Sequence, residues 1–342
     1  MEKRIYLTID IECHDINRRN QYIDGIYRKG DCGLKHILDL SKEMNIPVNC
    51  FVDIPEVNKY GEGYMKGIIE LIHSYNQHIY LHLHPNYITN NDERSFLWEY
   101  SKKEKEDILS TGFDLYQKYI GHRAEYFRVG RYGADKEMYR IIDNMGYSLC
   151  DLSFCSNCHK MCHISSDDLG TINAPTIFEG QLILPNTRYV GLKIKGRKVF
   201  VNLDASDTTF NEFKKVIKKA SMPQFVFTMH SWNFIKKYFF LKNYVTIDKY
   251  EEKKFRRMVD YARSQGYEFY DLHTTPPINI GKDQDGVIDL YKNFTDYPSM
   301  IINNFIRFFR IGRLNPKYFF IYGVFFITLF FFVVSIIVLL LR

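Results

Sequence analysis

Stretches rich in β-forming residues alternate with helical stretches along most of this chain, and that alternation narrows the fold more than any other feature. KRIYLTIDI (3–11), PVNCFVDI (47–54), QHIYLHLH (77–84), AEYFRVG (124–130), GYSLCDLS (146–153), QFVFTMH (224–230) and YEFYDL (267–272) read as strands. Residues 34–43, 65–75, 101–119, 134–145, 211–219 and 250–265 read as helices between them. Strands alternating with helices of ~10–15 residues argue for parallel βα units, either a barrel or an open doubly wound sheet. A chain of 342 residues, 46% hydrophobic and 25% charged, can bury such a core, and that balance excludes a disordered or collagen-like protein. Seven cysteines are too few and too odd in number for a disulfide scaffold.

The net charge of +6 is unevenly placed. No acid follows Asp296, whereas Arg307, Arg310, Arg313, Lys317 and Arg342 all do. Residues 1–298 are therefore nearly neutral, which argues against a nucleic-acid surface. Residues 318–341 carry no charge and are mostly Phe, Ile, Val and Leu. As a helix they would extend ~36 Å, enough to cross a ~30 Å hydrocarbon core, so a transmembrane helix is expected there. Four basic residues just before that stretch place the preceding body in the cytoplasm by the positive-inside rule. Residues 299–317 mix Ile, Phe and Arg and read as a basic segment lying on membrane lipid. Residues 276–298, with Pro276, Pro277, Gly281 and Gly286, read as a linker. The expected domains are thus 1–275, 276–298, 299–317 and 318–341.

In parallel βα folds, chemistry collects at the C-terminal ends of the strands. Here those ends read Asp10-Ile11-Glu12, His82-Leu83-His84-Pro85, Arg128-Val129-Gly130-Arg131-Tyr132-Gly133, Asp151 and His230-Ser231-Trp232. Side chains two apart on a strand share a face, so Asp10 can join Glu12, and His82 can join His84. One carboxylate with two imidazoles suits Zn²⁺ or a similar divalent ion with positions left for water. A second carboxylate can take a proton from water, a histidine can protonate a leaving group, and an arginine can orient the base. Together these are the parts of metal-assisted hydrolysis of an amide or ester.

TIDIE (8–12), HLHP (82–85), FRVGRYG (127–133) and TMHSW (228–232) resemble, in order and spacing, the motifs of NodB-type polysaccharide deacetylases, carbohydrate esterase family 4. The resemblance covers about residues 4–275. It implies an irregular (β/α) barrel that hydrolyses an N-acetyl or similar acyl group on a sugar with a divalent metal, Zn²⁺ first, with Mn²⁺, Co²⁺ or Ni²⁺ as alternatives. It further implies Asp10 as base, Arg128 as the group that holds it, His230 as general acid and His82 as a metal ligand. Ile11 stands where the family has its second aspartate, and Glu12 is expected to substitute. The family's two histidines are four apart. Here the second ligand is either His84, favoured by the proline after it, or His78. Tyr132, Asp151 (with Ser153 beside it) and Trp232 are expected on the sugar side, and EGQLILP (179–185) resembles a strand beside that groove.

Combined with the expected membrane anchor, this suggests a substrate sugar carried on a lipid, such as a polyprenyl-linked intermediate, or polymeric cell-surface glycan if the body lies outside the cell. A degenerate barrel that binds glycan without hydrolysis is the competing reading, favoured by Ile11 and the short histidine spacing. Cys155, Cys158 and Cys162 read as a reduced loop, with a small Zn²⁺ site as the alternative.

Overall fold

The computed structural model describes residues 2–158, 160–194, 196–219, 222–238, 244–278, 286–293 and 296–314. Its strands are β1 (Lys3–Ile11), β2 (Asn49–Asp53), β3 (Ile79–Leu83), β4 (Tyr126–Val129), β5 (Cys150–Asp151), β6 (Thr176–Phe178), β7 (Gln181–Ile183), β8 (Arg188–Ile194), β9 (Arg197–Asn202), β10 (Gln224–His230), β11 (Ile235–Lys237), β12 (Val245–Ile247), β13 (Tyr267–Phe269) and β14 (Ile288–Asp289). Its longer helices are α1 (Leu34–Met44), α2 (Glu62–Ser74), α3 (Lys102–Ile120), α4 (Lys136–Asn144), α5 (Phe210–Lys219), α6 (Lys249–Ser264) and α7 (Tyr297–Leu314).

The main sheet runs β10-β1-β2-β3-β4-β5-β7-β6, and β13 pairs with the start of β1. Every pairing in it is parallel except β6 with β7. The far edge returns to β10 through irregular backbone. Val226 N donates to Thr187 Oγ1 at 2.9 Å, Leu203 N donates to Thr187 O at 2.7 Å, and Thr228 N donates to Leu203 O at 3.0 Å. The result is a closed but irregular barrel with helices around it, the α/β architecture expected.

Period-two alternation layers the barrel interior. Tyr6, Phe51, Tyr80, Tyr126, Leu152 and Val226 form one apolar cluster. Two residues further along the same strands stand Thr8, Asp53, His82, Arg128 and Thr228, all buried. An aromatic floor therefore supports a polar layer that opens toward the strands' C-terminal ends. The guanidinium of Arg128 rests 4.4 Å from the centroid of the Phe51 ring, where the two layers meet.

Part of the C-terminal organisation differs from expectation. β14 falls in the stretch read as a linker, pairs in parallel with β8, and leads into buried Leu290 and Tyr291. α7 covers most of the segment read as lying on lipid, yet one of its faces is held by protein. Arg307 Nη2 pairs with buried Glu212 at 2.6 Å, and Asn304 Nδ2 donates to Gly191 O at 2.9 Å. Against the membrane location expected from the sequence, no helix among the described residues is long and apolar enough to cross a membrane. The span expected over 318–341 lies outside those residues.

Candidate active site

A cavity of about 460 Å³ opens at the C-terminal ends of β1, β3, β4 and β10, and Asp10, Glu12, His82, His84, Arg128, Tyr132, His230 and Trp232 all line it. The ladders account for this. Asp10 lies opposite His230 in the β1–β10 pairing, and His82 stands between Asp53 and Arg128 in the pairings of β3 with β2 and β4.

Glu12, His82 and His84 converge, each with one ligand atom within 4.8 Å of the others, and all three are buried. Glu12 Oε2 lies 2.7 Å from His84 Nε2 and 3.6 Å from His82 Nε2. It is nevertheless a buried oxygen without a properly directed hydrogen bond. Lone pairs pointed at a common centre rather than at one another's protons are what a cation site requires. His82 Nδ1 donates to Arg128 O at 2.9 Å, which turns Nε2 toward Glu12 and is the outer contact that metal-binding histidines generally have. His84 is held from behind by two features. Its backbone N donates to Asp53 Oδ1 at 3.3 Å, and Gly130 leaves room for its ring, since a Cβ at Gly130 would come within 2.4 Å of it. The donor set and its cradle thus fit a divalent cation.

Electrostatics within the trio are interdependent. Burial alone would raise the Glu12 carboxyl, but the neighbouring His84 and His82 rings hold it well below the usual carboxylate range. Burial lowers His84 despite the pull of Glu12. It acts the same way on His82, where the Asp10 and Glu12 carboxylates outweigh it and leave that ring raised. Beneath them, burial and then the nearby Glu56, Glu12 and Asp10 push Asp53 well above its ordinary value.

Across the cavity, Arg128 Nη1 donates to Asp10 Oδ1. Arg128 Nη2 donates to Thr8 Oγ1 at 2.9 Å and to Asn186 Oδ1 at 3.4 Å. His230 is 31% exposed, its Nε2 is 3.9 Å from Glu12 Oε1, and its ring stacks on Trp232 at 4.6 Å. Arg131 and Tyr132 both take left-handed backbone, with φ of 56° and 57°. Two consecutive non-glycine residues in that region are costly, and such strain tends to gather at functional sites.

Several expected residues lie elsewhere or act differently. His78 is away from the trio, with its Nδ1 2.6 Å from Asp271 Oδ2, and it is His84 that stands beside Glu12 and His82. Asp151 is not among the cavity-lining residues. It is buried, accepts from Tyr139 OH at 2.6 Å and from Ser153 Oγ at 2.6 Å, and Ser153 Oγ in turn accepts from Val129 N at 2.8 Å. Its connection to the site is thus through the backbone next to Arg128. The cysteines are all free thiols, and Cys155 Sγ donates to Asn202 Oδ1 at 3.5 Å. Among the described residues, Glu12, His82 and His84 are the group placed to hold a metal.

The sequence reading missed His14, whose Nε2 is 3.6 Å from Glu12 Oε1. It continues the two-residue step of Asp10 and Glu12, which was the available signal. It also missed Asn202, Asp204, Ser206 and Asp207, which line the cavity from the end of β9 and the turn after it.

No protein-family model matches the chain, and no curated protein does. Among solved structures, it matches a CE4 family pseudoenzyme from Bacillus anthracis at 14% identity and TM-score 0.42, covering 78% of this chain and 63% of that one. A putative polysaccharide deacetylase from Mycobacterium smegmatis matches at 11% identity and TM-score 0.48, covering 82% and 94%. A polysaccharide deacetylase from Bacillus cereus matches at 12% identity and TM-score 0.41, covering 82% and 97%. The chain is thus similar to solved structures described as a CE4 family pseudoenzyme and as polysaccharide deacetylases. It spans under two thirds of the length of the pseudoenzyme.

Proposed function

We propose that this protein hydrolyses an acyl group, N-acetyl or similar, from a sugar with the help of a divalent metal. One observation carries the reading: a carboxylate clamped by a buried arginine, and a separate trio of one carboxylate and two imidazoles, face the same cavity. Glu12, His82 and His84 would hold the cation. Their donor types suit Zn²⁺, and Mn²⁺, Co²⁺ or Ni²⁺ share them. Bound there, the cation supplies Lewis acidity toward a water and an acyl carbonyl.

The remaining steps belong to the chain. Arg128 keeps Asp10 in one orientation, from which it accepts the water's proton. His230, across the ladder from Asp10 and open to the cavity, gives a proton to the departing sugar amine or hydroxyl. Trp232 and Tyr132 present aromatic surface to the sugar ring. A pure binding protein would need neither the clamped base nor the facing histidine. A lipid carrier for the sugar was inferred from the membrane anchor and does not enter the proposal.

The test is acetate release from N-acetylglucosamine oligomers and from acetylated xylan by the full-length protein. Release that stops on chelation and returns with Zn²⁺ is expected. Tight glycan binding with no release under any metal would instead make it a binding module.

A further inference from the structure

The loops that follow β1 and β10 build a second cavity, of about 590 Å³, on the catalytic end of the barrel. Its charge is one-sided. Arg28, Lys29, Lys236 and Lys249 all line it, all are exposed, and none forms an ion pair among the described residues. Asp248 also lines it, but its carboxylate is engaged as the cap of α6, accepting from Tyr250 N at 3.1 Å and Glu251 N at 3.3 Å. Tyr244 and Tyr250 line the same cavity and are 50% and 57% exposed, an unusual display for rings of that size. Lys236 Nζ stands 5.5 Å from the Tyr238 ring centroid, so cations and aromatic faces are interleaved there.

This cavity and the catalytic one share a wall. Cys32, Ile235 and Val245 form a small buried cluster on which Trp232 packs from the catalytic cavity, and Tyr27 and Ile247 from the second one. Alternation along β11 gives the two sides of that wall. Lys236 faces the second cavity, while the next residue, Lys237, lies 4.0 Å from the Tyr22 ring and 5.6 Å from the Trp232 ring.

Aromatic faces bind the apolar faces of sugar rings, and unpaired cations bind carboxylate, sulfate or phosphate groups. We infer that the Arg28, Lys29, Lys236, Lys249, Tyr244 and Tyr250 surface binds an acidic glycan, a polymer with negatively charged sugars, and extends the site beyond the reacting residue. This rests on the deacylase reading for its place beside a sugar site. It is tested by binding rather than turnover, so either can fail without the other.

The experiment titrates the full-length protein with two hexasaccharides, one alternating N-acetylglucosamine with glucuronate and one of N-acetylglucosamine alone. The acidic oligomer should bind about tenfold more tightly at low salt, and the preference should shrink at high salt as exposed charges are screened. Lys236→Glu with Lys249→Glu should abolish the preference. Tyr250→Ala should weaken both ligands. Acetate release from monomeric N-acetylglucosamine, which cannot reach this surface, should stay unchanged in all three substitutions. Equal affinity for the two oligomers, an unaffected charge-reversal variant, or tighter binding of single-stranded DNA or of anionic phospholipid vesicles than of the acidic oligomer would each overturn the inference.

Discussion

Asp10 and Arg128 form a buried pair whose two members do different work. Arg128 also donates to Thr8 and Asn186, so it keeps partners when Asp10 loses its charge. Asp10→Asn should therefore remain folded while losing turnover by ~10²–10⁴-fold, the usual contribution of a general base. Circular dichroism beside a kinetic assay checks both halves, and near-normal turnover would remove Asp10 from the mechanism. Gly130→Ala makes a sharper geometric point, because its new Cβ would meet the His84 ring. A metal-affinity loss of about tenfold or more, as for disturbed outer contacts of metal ligands, is expected by competition with a chelating dye. Unchanged affinity would show that His84 is not a ligand.

Asp151 gives a pH prediction of definite sign. Burial, against the hydrogen bonds from Ser153 and Tyr139, raises it to about 6. The folded protein then holds this proton more tightly than the unfolded chain, so the group's contribution to stability falls as pH rises from about 4 to about 6. Asp151→Asn removes that dependence. The melting temperature of the variant relative to the parent should be higher at about pH 7 than at about pH 4, and the opposite slope would contradict the assignment. At this scale the sequence was partly legible. The two-residue steps of Asp10 with Glu12 and of His82 with His84 announced shared faces. That His84 rather than His78 lies beside Glu12 was not legible, because the Asp271 carboxylate that engages His78 is 193 residues away in sequence.

At the scale of elements, α7 is where sequence and structure diverge most. Its exposed Ile301, Ile302, Phe305 and Ile306 read as a lipid-seeking face. Its other face depends on Glu212, Tyr189 and the Asp207 carbonyl, far away in sequence, and no local pattern announces them. Glu212 is fully buried and Arg307 half-buried against it, and Arg307 Nε donates at 2.9 Å to Asp207 O, part of the loop that lines the catalytic cavity. Arg307→Met removes the cation beside buried Glu212, which keeps its bonds from Thr209 and Tyr291, and should cost about 2–3 kcal/mol. Adding Glu212→Gln should recover part of it. Urea unfolding measures both, and a cost below about 1 kcal/mol would mean that α7 is not anchored there. The β8–β9 hairpin was likewise unread, since its alternation is weak and its partner β14 lies in a stretch rich in turn formers. The strands carrying the site were readable because β-formers run unbroken up to a polar terminus.

Across the whole molecule, separate stretches of chain deliver donors to one point. β1 brings Glu12 just past its end, β3 brings His82 and His84, and β4 supplies the carbonyl that aligns His82. A cation bound there crosslinks β1 to β3. Metal removal should therefore lower the unfolding temperature as well as activity, by the mass-action stabilisation a ligand of the native state provides. The most direct measurement is the metal content of the purified full-length protein, by elemental mass spectrometry after equilibration with Zn²⁺, for the parent and for His82→Ala, His84→Ala and His78→Ala. About one ion per chain in the parent and in His78→Ala, and little in the other two, is the predicted result. A parent that binds none, or a loss confined to His78→Ala, would contradict it.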